Sequence, residues 1–136
     1  MTADLVAFLR ARLDEDERIA RRTRQPGYQW RNFDMDGELR DSDNAGTVAY
    51  IPHANDRTHI ARHDPARVLA EVDAKRHIID LYEAAHERHL NKAERLSPSA
   101  MRRRAGRREA LDDTLCLLAL PYAGHPDYRP EWAPTQ

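Results

Sequence analysis

Seven histidines in a chain of 136 residues are the first place to look for chemistry. His59 and His63 stand four apart, and His86 and His89 stand three apart. On a helix either spacing brings two imidazoles to one face, as a zinc site needs. Neither pair matches the metalloprotease pattern: Ile60 follows His59, and His86 and His89 are one residue too close. Glu83 and His86 form half of a di-iron carboxylate set, and no second such pair exists in the chain. A metal-dependent hydrolase would therefore have to draw on His59, His63, Asp64 and His125. Asp64 already has another task, capping the helix that starts at Pro65. His63 beside Asp64, and His125 two residues from Asp127, also set imidazole near carboxylate, but acid–base catalysis needs geometry as well. Ser42, Ser97 and Ser99 lie in turns or caps, and Cys116 sits in the apolar run Leu115–Leu118, where it reads as a small buried residue. Five glycines make no phosphate loop. The expectation is no catalytic residue, no metal and no cofactor.

The sharpest charge feature is Arg102, Arg103, Arg104, Arg107 and Arg108. Five guanidiniums in seven residues spread around most of a helix circumference and could grip phosphates, with salt-sensitive binding. Only Met101 and Ala105 interleave, without aromatic side chains for base stacking. Glu109, Asp112 and Asp113 follow, so the cluster also reads as a solvated helix start or a contact for an acidic partner. Asp36-x-Glu38 and Asp41-x-Asp43-Asn44 invite a calcium reading. Gly37 and Gly46 are misplaced for such a loop and its late glutamate is missing, so these residues are assigned to turns.

Composition sets the frame. Apolar residues make up 40% and charged residues 33%, with a formal net charge of -1 from 22 basic and 23 acidic residues. That balance fits one folded domain and gives no global pull toward nucleic acid or an anionic membrane, so any such case rests on local patches. The lone cysteine excludes an internal disulfide. The first residues are too soon interrupted by charge for a secretion signal, and no run reaches a membrane span. A cytoplasmic protein is expected.

The elements that must position these groups follow from periodicity. Residues 3–23 read as an amphipathic helix with Leu5, Phe8, Leu9, Leu13 and Ile19 on one face, stopped by Pro26-Gly27. Residues 28–51 carry aromatic and β-branched runs separated by Asp, Asn and Gly clusters, the punctuation of an antiparallel hairpin or meander. Trp30, Phe33, Val48 and Tyr50 are its expected docking residues. Residues 52–63 connect onward, with Thr58–Ala61 a candidate extra strand. Residues 65–94 form the longest helix, the spine of the fold, with Asp64 as cap, Pro65 at the first position and Val68, Leu69, Val72, Ile79 and Tyr82 as its apolar stripe. A last helix, 98–120, carries Leu111, Leu115 and Leu118, and backward extension of that face meets Arg108 and Arg104. Four prolines in 121–136 deny the tail regular structure, while Tyr122, Tyr128 and Trp132 make it an ordered strap. The expected fold class is α+β, a single domain of three main helices with a two- to three-stranded antiparallel sheet.

Two stretches carry a family resemblance: His59-Ile60-Ala61-Arg62-His63-Asp64-Pro65-Ala66-Arg67-Val68-Leu69 with Ala74-Lys75-Arg76, and Leu117 through Arg129 with its Pro121-Tyr122-Ala123-Gly124-His125-Pro126-Asp127-Tyr128 core. The opening Asp4–Glu17 fits with them. Together they resemble a family of small uncharacterised actinobacterial proteins, also found in phages of those hosts, labelled only as a domain of unknown function. The resemblance spans nearly the whole chain and implies a cytoplasmic protein. It implies no activity, cofactor or catalytic residue.

These readings converge on a non-enzymatic interaction or regulatory module with an unknown protein partner. A nucleic-acid-binding accessory protein using Arg102–Arg108 stands second, and a metal-dependent hydrolase on His59, His63 and His125 third. The end of the long helix, near Tyr82, His86 and Leu90, is a candidate homodimer contact.

Overall fold

A computed structural model describes residues 2–23, 28–33, 35–43, 46–91 and 95–134. The elements run α1 (Thr2–Arg21), β1 (Trp30–Phe33), β2 (Glu38–Asp41), β3 (Thr47–Tyr50), α2 (Ala54–Arg62), α3 (Pro65–Leu90) and α4 (Pro98–Ala119). Two short 3-10 turns follow, at Leu120–Tyr122 and Pro130–Trp132. The class is α+β, as expected. The helix stop at Pro26-Gly27 and the expected end of the spine at Glu94 lie outside the described residues. The chain divides into two compact units, residues 1–13 with 74–136, and residues 14–73.

The first unit is helical. Leu5, Val6, Phe8, Leu9 and Leu13 of α1 are buried, as are Ile79 and Tyr82 of α3, Leu115 and Ala119 of α4, and Trp132 of the tail. Positions 5, 9 and 13 recur every fourth residue and give α1 its inner face. Arg10 reinforces this, donating to Asp80 at 3.1 Å and to Glu83 at 2.8 Å. Those two carboxylates, Glu83 first, hold the Arg10 guanidinium above its ordinary pKa. The proline-rich tail is anchored by aromatic contacts. Phe8 meets the rings of Tyr122, His125, Tyr128 and Trp132 at centroid distances of 5.0–6.4 Å. Arg129 adds an ion pair to Asp4 at 2.9 Å. The tail is therefore a strap, and it contains more regular structure than proline content suggested, because Pro121 and Pro130 each fit the start of a 3-10 turn.

The second unit holds the sheet, a β1-β2-β3 antiparallel meander. Trp30 pairs with Asp41 and Phe33 with Glu38, while Leu39 faces Ala49 with an irregularity between Leu39 and Arg40. Gly37 turns the chain between β1 and β2 at φ 68°, a left-handed conformation that side chains resist. Of the acidic residues considered for calcium, Asp36 and Asp43 lie in turns, whereas Glu38 and Asp41 are the two ends of β2. Asp41 Oδ1 accepts from the Asp43 N–H at 2.8 Å. Glu38 accepts from Arg40, whose guanidinium also lies 3.8 Å from the Phe33 ring centroid and 3.2 Å from Asp36. Asn44 lies outside the described residues.

Three expectations are corrected here. Residues 58–61 are not a strand; they belong to α2, whose half-buried Ile60 and Ala61 lie one turn from buried Arg57. The Arg57 side chain is only 3% exposed. It donates from Nε to Asn32 Oδ1 at 2.8 Å, and from Nη1 to the carbonyls of Ile51 and Pro52. A cation occupies the place where periodicity looks for an apolar residue. The sheet is also anchored differently: central β2 buries Glu38, Leu39 and Asp41, whereas Trp30, Phe33 and Val48 are half-buried and Tyr50 is exposed. On α1, Ile19 is exposed and neighbouring Ala20 is buried, because a step of six from Leu13 leaves the face that a step of seven keeps.

The cap on α3 is as anticipated. Asp64 Oδ1 accepts from the Arg67 N–H at 2.8 Å, and Oδ2 accepts from the Trp30 N–H at 3.1 Å. One carboxylate thus starts the helix and holds the first strand. Val72, Ile79 and Tyr82 of the stripe are buried, and Val68 and Leu69 are half-buried. At 26 residues α3 spans about 39 Å.

Candidate functional site

Helix α4 begins with Ser97, whose hydroxyl accepts from the Ala100 N–H at 3.2 Å, and Pro98 fills the first helical position. Its fully buried residues, Leu115 and Ala119, lie in the last third. Over residues 98–110 only Ala100, Arg104 and Arg108 are even half-buried. The sequence explains this: the face that carries Leu115 and Leu111 carries Arg108 and Arg104 one and two turns earlier. Arg102, Arg103 and Arg107 are exposed, and Arg108 pairs with Asp112 at 3.8 Å. The five arginines singled out in the sequence are therefore collected on one helical overhang.

The end of α3 joins them. Arg88 and His89 are exposed in its last turn, and Arg104 Nη1 reaches the Arg88 carbonyl at 3.5 Å. Arg88, His89, Asn91, Leu96, Met101, Arg102, Arg104 and Ala105 line a groove of about 500 Å³. A second groove of about 430 Å³ is lined by Ala85, Arg88, Leu96, Ala100, Arg103, Arg104 and Arg107. Leu96, Met101, Ala85, Ala100 and Ala105 give the two linings their apolar members, and arginines give them their charge. Sequence reading found the arginines of α4 and missed Arg88 and Leu96. Their contribution depends on where α3 ends, which periodicity does not fix.

The histidines are distributed otherwise. His59 and His63 lie in the second unit, both exposed, with ring centroids 4.4 Å apart and His63 Nδ1 2.8 Å from the His59 carbonyl. His125 lies in the first unit, within the Phe8 cluster. The Asp127 N–H donates to its Nδ1 at 3.1 Å, and the Arg12 guanidinium lies against its Nε2. His86 is half-buried and stacks on Tyr82, and Glu83 is taken by Arg10. Among the described residues no three of His, Cys, Asp and Glu converge as a metal ion would require. Cys116 is half-buried rather than fully enclosed. Burial first, then Asp113 and Asp112, push its thiol pKa up. Of the residues considered for self-association, Tyr82 is buried within the first unit, with burial raising its pKa, while Leu90 is 62% exposed.

No described helix is long and apolar enough to cross a membrane. Nothing among the curated proteins and nothing among the solved structures matches the chain. A family model does match it, over residues 2–134, and the chain belongs to that family, the family of unknown function DUF6221.

Proposed function

We propose that this chain is a small cytoplasmic, non-enzymatic interaction module that engages an anionic partner through the arginine-rich ends of α3 and α4. One observation carries the reading: arginines of both helices line grooves at the start of α4, before its buried residues Leu115 and Ala119. Exposed guanidiniums that hold no core together are retained at little cost and present a focused positive field to a partner. The actinobacterial or phage setting suggested by the sequence resemblance is compatible with such an accessory role. A second reading, nucleic-acid binding through Arg102, Arg103, Arg104, Arg107 and Arg108, draws on the exposure of Arg102, Arg103 and Arg107.

The test is direct binding of fluorescent polyglutamate and of duplex DNA at about 50 and about 200 mM salt. At least one anion is expected to bind, more weakly at the higher salt, with binding lost in the triple variant Arg102→Ala, Arg103→Ala, Arg107→Ala. Absence of binding to both anions, or undiminished binding by the triple variant, overturns the proposal.

A further inference from the structure

We infer that the groove between the end of α3 and the start of α4 receives an acidic amphipathic helix of a partner protein; this rests on the interaction-module reading above. The groove presents two chemistries together. Leu96, Met101 and Ala105 supply apolar lining, and Arg88, Arg102 and Arg104 supply cationic lining. Met101 is 59% exposed in the free chain, so covering it removes apolar surface from water. Among the described residues the groove's lining holds three arginines and no carboxylate. That imbalance selects an anion.

The apolar lining then selects among anions. A phosphate backbone satisfies guanidiniums but gains nothing from leucine and methionine side chains. Single-stranded bases stack on aromatic platforms, and residues 83–121 contain no Phe, Tyr or Trp. A helix with glutamates on its flanks and leucines on one face uses both features. Its carboxylates can take bidentate hydrogen bonds from the arginines, and its apolar anchors cover the leucine and methionine, the helix-in-groove mode of recognition. Methionine suits such a contact because its unbranched side chain adapts to different anchors.

Fluorescence anisotropy with the full chain tests this. The probe is a labelled peptide with leucine at helical spacing and glutamate elsewhere. Its control replaces every leucine with serine at unchanged charge, and duplex DNA is the third ligand. The leucine peptide is expected to bind at least about tenfold tighter than the serine peptide, as a buried apolar anchor would give. Met101→Ser should remove most of that difference, with circular dichroism confirming the variant's helicity. Equal, salt-sensitive binding of the two peptides overturns this inference alone. DNA binding tighter than the leucine peptide at the same salt also overturns it, in favour of a phosphate ligand. Failure of every anion to bind removes the interaction-module reading as well.

Discussion

Arg57→Ala should be the most damaging single substitution in the second unit. The native guanidinium is 3% exposed and donates to three oxygens, Asn32 Oδ1 and the carbonyls of Ile51 and Pro52. Truncation leaves those acceptors, on half-buried Asn32 and Ile51 and exposed Pro52, without this donor and opens a gap where the buried side chain packed. An acceptor stranded away from water costs about 1–3 kcal/mol, and neighbouring losses in one network do not add fully. A total of about 3–5 kcal/mol is expected, a large part of an ordinary domain's stability. Arg57→Lys should recover only part of it, because a single ammonium cannot reproduce the fork. Urea unfolding is the assay. With m near 1–3 kcal/mol/M, the midpoint should fall by roughly 1–5 M. The two tryptophans, Trp30 and Trp132, lie in different units, so a Trp132→Phe background isolates the fluorescence of the unit that contains Arg57. A loss below about 1 kcal/mol in that background would refute the assignment of Arg57 as the pin between α2 and the sheet.

Three further outcomes are expected. Asp64→Ala removes the acceptor for both the Arg67 and Trp30 amides and should cost about 1–2 kcal/mol in the same urea assay, while Asp64→Asn should retain most of the cap. Glu38 is held below its ordinary pKa, first by the hydrogen bond from Arg40, so its contribution is present above the unfolded value of about 4.3 and is lost as pH falls through the lower folded value. Thermal melts from pH 6 to about pH 3 should therefore show a loss that Glu38→Gln flattens. The Cys116 thiol, raised by burial and by Asp113 and Asp112, should react with iodoacetamide at pH 8 more slowly than an unstructured cysteine peptide, and unfolding in urea should abolish the difference.

Much of the architecture was legible because it rests on local rules. Asp64-Pro65 announces a helix start through a side-chain acceptor and a residue that needs no donor, and both act as anticipated. The turn residues around Gly37 and Asp41–Asp43 mark where strands end, and the meander follows. Helix α2 was not legible. Its buried member is an arginine, so hydrophobic periodicity had no signal to follow over Ala54–Arg62. The same blindness applies to β2, which buries Glu38 and Asp41 through hydrogen bonds to neighbours rather than through apolar area. At the arginine groove the charges were visible in sequence and the concavity was not. Leu96 and Arg88 belong to it only because two helix ends meet there, a long-range arrangement that spacing within α4 cannot encode.

The overhang of α4 has an evolutionary corollary. A segment that contributes no fully buried side chain can change its letters with little penalty to folding, whereas Leu115 and Ala119 cannot. Selection can then retune what this end of the molecule recognises while the scaffold stays fixed. Related chains sharing the Phe8 cluster and the Asp64 cap should diverge most in residues 98–110, each lineage carrying its own pattern of charge on the same handle.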